Sequence, residues 1–166
     1  MNLSSPTPNL TFTAALAYLH REYKRYYDGN LDRTPTPVPF PKYQLQLSAD
    51  YRAPISVGEL RFNVNLDYQT KRPLFTDPRT PGPPPCCTQA IDPSATIYQK
   101  GYAILNARIA LRVDAWNTEV AVFGRNLGDA HYVLSPLDLS SLGFRIAEYG
   151  DPRVVGVSVK KRFGGI

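Results

Sequence analysis

The chain has 166 residues, is 43% hydrophobic and 20% charged, and sets 19 Lys plus Arg against 14 Asp plus Glu for a net charge of +5. That is one domain's length, with enough apolar material to bury a core or face lipid, which excludes a wholly disordered chain. No run approaches the roughly 18 apolar residues of a transmembrane helix, but membrane-crossing strands need only about 9 to 11 alternating residues and stay open.

The first ten residues, MNLSSPTPNL, have neither the basic start nor the apolar block of a secretory leader. Next, Leu10, Phe12, Ala14, Leu16 and Tyr18 alternate with Thr11 and Thr13. A helix over residues 14–27 competes with a strand here; the Thr and aromatic content and the period of the neighbouring segments favour the strand. Four prolines between Pro35 and Pro41 and seven between Pro73 and Pro93 mark two long loops, because proline lacks the N–H that a sheet ladder needs. Between them, Tyr43, Leu45, Leu47, Ala49 and Tyr51 oppose Gln44, Gln46, Ser48 and Asp50. Leu60, Phe62, Val64, Leu66 and Tyr68 then oppose Arg61, Asn63, Asn65, Asp67 and Gln69. A short turn over residues 52–57 joins the two. Downstream, Ala103, Leu105, Ala107, Ile109, Leu111 and Val113 face away from Asn106, Arg108 and Arg112; a turn at 114–117 leads to Thr118, Val120 and Val122 against Glu119 and Arg125. Val155, Val157, Val159 and Phe163 close the series against Ser158, Lys160 and Arg162.

The pattern predicts an all-β chain, an antiparallel meander of about six strands forming part of a transmembrane β-barrel wall. Its connections alternate long and short, as in outer-membrane barrels with short periplasmic turns and long external loops. Faces rich in charged and amide side chains would be costly in a sandwich core and are normal in a watery lumen. Aromatic residues near strand ends (Tyr43, Tyr51, Tyr68, Tyr102, Trp116 and Phe163) stand where an interfacial belt would lie. The rival reading is a soluble, basic β-sheet binding module, in which the apolar face would pack on a second layer.

Three segments, GYAILNARIALRV, WNTEVAVFGRNLGDAHY and YGDPRVVGVSVKKRF, resemble the C-terminal end of TonB-dependent receptors. In that family the penultimate strand runs into an Asn-Leu-x-Asp turn followed by aromatic residues, as at Asn126, Leu127, Asp129 and Tyr132. The last strand commonly follows Gly-Asp-Pro-Arg and ends on an aromatic residue, as at Gly150, Asp151, Pro152, Arg153 and Phe163. The hairpin PKYQLQLSADYRAPISVGELRFNVNLDYQ looks like preceding strands of such barrels. Here Gly164, Gly165 and Ile166 follow the terminal aromatic. The resemblance implies a receptor with a signal peptide, a TonB-contacting segment, a plug and a 22-strand barrel, of which residues 1–166 would be the C-terminal strands. An open sheet of six strands exposes edges that lipid cannot satisfy, so a stable pore needs further strands. The implied whole is not an enzyme. It sits in the cell outer membrane and takes up a scarce nutrient such as a ferric siderophore, cobalamin or a glycan. Its implied partners are outer-membrane lipid, the TonB complex through the N-terminal parts, and the barrel-insertion machinery at the last strand, with Val155, Val157, Val159 and Phe163 as signal.

Among candidate sites, Arg61, Asp67, Arg108, Arg112, Glu119 and Arg125 are expected to form a lumen charge ladder that braces the wall or lines a path for an anionic ligand. Tyr26, Tyr27, Phe40 and Phe75 are the candidate ligand contacts on external loops. The run REYKRYY (21–27) interleaves basic and aromatic residues as single-stranded nucleic-acid surfaces do, but its place beyond a strand end favours lipid or ligand contact, and no nucleic acid is expected. The adjacent Cys86 and Cys87 exclude a multi-bridge framework and are expected to be incidental loop residues. His20 and His131 are the only histidines. No catalytic constellation, metal site or cofactor is expected.

Overall fold

The computed structural model describes residues 2–4, 9–29, 31–76, 96–139 and 142–163. Thirteen strands are seen there: β1 (Asn2–Ser4), β2 (Leu10–Tyr18), β3 (Tyr27–Asp28), β4 (Leu31–Asp32), β5 (Tyr43–Ile55), β6 (Gly58–Gln69), β7 (Arg72–Thr76), β8 (Thr96–Gln99), β9 (Tyr102–Val113), β10 (Thr118–Arg125), β11 (Val133–Leu139), β12 (Phe144–Tyr149) and β13 (Val154–Lys161). Seven form one sheet in the order β1-β2-β5-β6-β9-β10-β13, and every pair in it is antiparallel. The six long members are the six expected strands; three-residue β1 extends the edge. Among the described residues no helix is long and apolar enough to cross a membrane.

Registers across the sheet are uninterrupted, so the alternation of each strand adds up to two continuous faces. One row of partners runs Phe12, Ala49, Val64, Ala107, Gly124, Val155. Its neighbour runs Tyr51, Phe62, Ile109, Val122, Val157, and another runs Leu60, Leu111, Val120, Val159. One side of the sheet is therefore apolar from β2 to β13. The opposite side carries Thr13, Ser48, Asn65 and Asn106 in one row and Thr11, Asp50, Asn63 and Arg108 in the next.

Among the described residues no second layer covers the apolar face. Among the described residues the buried hydrophobic side chains are only Ala110, Ala121 and Val133, while Val155, Val157 and Val159 are about two-thirds exposed. The packed layer required by the soluble-module reading is missing among these residues. Tyr18, Tyr43 and Tyr68 bound the apolar face at the long-loop end; toward the other end Tyr51 and Phe62, their rings 6.1 Å apart, stand one row before Ala53, Leu60 and Leu111. From Tyr43 to Ala53, the partner of Leu60, is about 33 Å of strand, which a tilt near 40° makes a band of roughly 25 Å, comparable with that of membrane barrels.

Two boundaries differ from the sequence reading. The β5–β6 hairpin runs on through residues expected to form its turn: Pro54 pairs with Glu59 and Ile55 with Gly58, leaving Ser56 and Val57 at the tip. Gly58 permits this closure, since its φ is +151° and a Cβ there would collide with the Arg112 carbonyl. Tyr102 also departs from the expected belt. It pairs with Gln69 and so lies on the polar side, where its ring stacks on Tyr132 with centroids 4.5 Å apart.

The long connections contain hairpins of their own: β3–β4 in the first, β7–β8 in the second and β11–β12 in the third. Cys86 and Cys87, together with the proline-rich stretch around them, lie outside the described residues.

Candidate functional site: the polar face and the loop end

All six residues expected to form the charge ladder fall on the polar side of the sheet. Arg108 donates to Glu119 Oε1 at 2.7 Å, reaching diagonally across the Ala110–Ala121 pair. The small side chains leave room for that reach, and both alanines are almost wholly covered. Arg61 pairs with Glu59, two residues along its own strand, and Arg112 donates to Asp114 Oδ1 at 2.8 Å. Asp50 accepts from Asn63, which in turn accepts from Asn65 at 2.7 Å. Asp67 and Arg125 form no ion pair among the described residues. Arg125 lies 5.7 Å from the Phe123 ring centre, and Asp67 borders a shallow hollow of about 310 Å³ with Gln44, Gln46, Gln69 and Tyr102. Half-exposed charges bonded to each other with open space beside them suit a watered surface.

The Asn-Leu-x-Asp segment proves to be a structural corner. Asn126 is 3% exposed, has φ +47°, and all of its polar groups find partners. Its N–H donates to Asn106 Oδ1 at 3.0 Å, its Nδ2 donates to the carbonyls of Ala130 at 2.9 Å and Asp151 at 3.0 Å, and its Oδ1 accepts from Ala130 N–H at 2.8 Å. The Asn126 side chain thus joins the exit of β10 to the entry of β13, and its backbone N–H ties the corner to β9. Asparagine suits this corner because it tolerates the left-handed backbone and offers both donor and acceptor. Asp129, also left-handed, faces Arg153 at 3.5 Å.

Of the candidate ligand contacts, Tyr26, Tyr27 and Phe40 share the β2–β5 connection. Tyr26 packs on Tyr23 with ring centres 4.8 Å apart, and the Arg21 guanidinium lies 4.6 Å from the centre of the half-exposed Phe40 ring. Phe75 stands elsewhere, on β7 under Arg145 of β12. That second cluster is braced by Arg72, which donates to the carbonyls of Val133 at 2.6 Å and Leu134 at 3.0 Å, and by Gln99, which accepts from Val133 N–H at 2.9 Å. Sequence reasoning missed this junction, because a tie over some 61 residues leaves no periodic trace. His20 lies 3.9 Å from Glu22 on the exposed loop. Val155, Val157 and Val159 project from the apolar face of the edge strand β13, and Phe163, the most exposed large hydrophobic side chain among the described residues, follows it.

A one-layer sheet with a continuous apolar side, tyrosines at its rim and a charged inner side defines a segment of transmembrane barrel wall. Three solved structures share the fold over 93% of the chain. They are the ferric yersiniabactin uptake receptor FyuA from Yersinia pestis (TM-score 0.64, 16% identity), FpvA from P. aeruginosa in an iron complex with a pyoverdine (0.61, 18%) and BauA, the ferric preacinetobactin receptor from Acinetobacter baumannii (0.56, 21%). The chain's neighbours in fold are thus TonB-dependent siderophore receptors. It spans 21%, 18% and 20% of their respective lengths, about a fifth. At these identities the likeness is one of fold. No protein-family model and no curated protein sequence matches the chain.

Proposed function

We propose that the chain is the C-terminal portion of a TonB-dependent receptor in the outer membrane, one that takes up a scarce nutrient, with a ferric siderophore as the first candidate and cobalamin or a glycan as the others. The observation that carries this reading is the apolar face, continuous over six strands and without a covering layer, in a fold similar to a fifth of three iron-uptake receptors. Hydrocarbon is the medium such a face requires.

In this reading Arg61, Asp67, Arg108, Arg112, Glu119 and Arg125 line the lumen, where paired charges brace the wall against shear. Tyr26, Tyr27 and Phe40 present ring faces at the external end. Val155, Val157, Val159 and Phe163 form the outward side of the last strand, available to the barrel-insertion machinery. Energy enters through TonB by way of parts outside this chain.

Sequencing the genomic DNA upstream of the codon for residue 1 tests the reading. The expected result is an in-frame continuation encoding a signal peptide, a plug and about 16 further strands, the balance of a 22-stranded barrel. A promoter and stop codon immediately ahead of residue 1 would sink it.

A further inference from the structure

Two lysines that lie far apart in sequence meet at the long-loop end of the polar side. Gln69 pairs with Tyr102, and beyond it Arg72 pairs with Gln99 in the same register, which sets Lys71 opposite Lys100. Both lysines are exposed, both fall by parity on the side of Gln69 and Tyr102, and among the described residues neither has an acidic partner. Like charges directly opposite on adjacent strands repel, so the pair costs the sheet stability rather than supplying it. Lys42, in register on the other flank of Lys71, turns to the rim instead, where its ammonium lies 5.8 and 5.9 Å from the ring centres of Tyr18 and Tyr43.

The Lys71–Lys100 pair stands at the mouth of the hollow of about 310 Å³: Gln69 and Tyr102, one step down the sheet, line it together with Gln44, Gln46 and Asp67. That volume is at the lower end of the range of small-molecule sites. Gln69 Nε2 is covered and has no hydrogen-bond partner among the described residues, which leaves a donor for a ligand to satisfy. Aromatic faces flank the lysines. The Lys71 ammonium lies 5.2 Å from the ring centre of the exposed Tyr98, and Tyr102 stacks on Tyr132. Two ammonium groups, an unpartnered amide and a phenol hydroxyl thus bring hydrogen-bond donors to one mouth. Asp67, four residues or about 13 Å down the strand from Lys71, is placed to accept from a hydroxyl or amide N–H at the ligand's far end.

We propose that Lys71 and Lys100, with Gln69 and Tyr102, form a binding subsite for an anionic ligand, and that the nutrient is an iron chelate of net negative charge rather than cobalamin or a neutral glycan. This rests on the reading of the chain as part of an uptake receptor and deepens it by fixing the sign of the ligand's charge. Oxyanions of the chelate offset the repulsion between the lysines, and Gln69 Nε2 gains the acceptor that it lacks.

The test uses the whole receptor, expressed from its own gene in its source cell, with a gene-deleted strain as the blank. Radioiron is added to the chelators that the iron-starved culture secretes, and an anion exchanger separates retained from unretained chelates. Gene-dependent uptake is then measured for each fraction, for labelled cobalamin and for labelled neutral oligosaccharides. Expected is uptake of the retained chelates alone. Its half-saturating concentration should rise roughly two- to fivefold for Lys71→Gln or Lys100→Gln and on the order of tenfold for both, with maximal uptake unchanged. The double Arg variant should keep the wild-type value, and added salt should weaken uptake by the wild type more than by the double Gln variant. Gene-dependent uptake of unretained chelates, cobalamin or oligosaccharides would overturn the proposal. So would a double Gln variant with the wild-type half-saturating concentration, including one in which only maximal uptake falls, which would make the lysines a contact for another part of the receptor. Absence of gene-dependent uptake from every probe would instead overturn the receptor reading on which the proposal stands.

Discussion

The two faces of the sheet are built on the same strands, yet their side chains behave differently. On the polar side they bond to each other: Arg108 to Glu119, Asn63 to Asp50, Arg112 to Asp114. On the apolar side Ile109, Val122, Val157 and Val159 remain half or more exposed. A soluble sheet buries its apolar face and wets its polar one; here it is the apolar face that lacks a protein layer. What distinguishes the faces is the solvent each was selected for, and solvent can be tested residue by residue.

The sharpest test exploits neighbours. Val64→Arg places a charge near the middle of the apolar band and should cost about 2–4 kcal/mol when urea unfolding is followed in lipid vesicles. Asn65→Arg, one residue along and facing the other way, should cost less than about 1 kcal/mol. Equal costs would erase the distinction between the faces.

The next effect concerns the corner where the faces meet the loops. Asn126→Ala removes the side-chain partners of Ala130 and Asp151 and puts alanine in a left-handed conformation. About 2–3 kcal/mol of stability should be lost, read by the same unfolding assay. A neutral result would show that the Asn-Leu-x-Asp segment does not act as the joint described here.

A smaller effect gauges how wet the polar side is. A double-mutant cycle on Arg108→Met and Glu119→Gln should give a coupling of about 0.5–1 kcal/mol that shrinks as salt is added. Coupling of more than about 3 kcal/mol, insensitive to salt, would mean a dry interior.

The smallest is confined to the long-loop end. Thr34 donates hydrogen bonds to Asp32 from its side chain and from its backbone N–H, the latter at 2.9 Å, and these hold the Asp32 carboxyl below its usual value near 3.8. A depressed folded-state pKa contributes stability that is present above the unfolded pKa and is lost as pH falls through the folded value. Hydrogen exchange at the Thr34 amide should accelerate, relative to intrinsic rates, only below about pH 4, and Asp32→Asn should remove that pH dependence.

Much of the wall was legible because a period of two with one apolar side leaves a strong trace, as in Tyr43 to Tyr51 and Leu60 to Tyr68. The loop hairpins were not legible for an equally physical reason: β7 and β11 contain Pro73 and Pro136, and two-stranded ribbons outside the main sheet have no constant buried face to impose alternation. At the candidate site, the shared face of the six ladder residues followed from parity. Which of them would pair did not, because Arg108 bypasses its direct neighbours and Arg61 turns back to its own strand. The sequence reading placed Tyr102 in the belt by its position near a strand end, where its parity with Gln69 puts it on the other side.

The last strand is pinned at both ends. Asn126 holds the Asp151 carbonyl just before β13 begins, and Arg162 N–H donates to the Asn117 carbonyl at 3.0 Å just after it ends. Midway, Gly156 lies opposite Phe123, where any Cβ would collide with the aromatic ring. A slip of one residue would bring Val155 or Val157 onto that ring and turn the valine series toward the water-facing side. The strand therefore has one admissible alignment, fixed by two backbone clamps and one missing methyl group. The open edge it offers to whatever strand comes next is a template already set in phase.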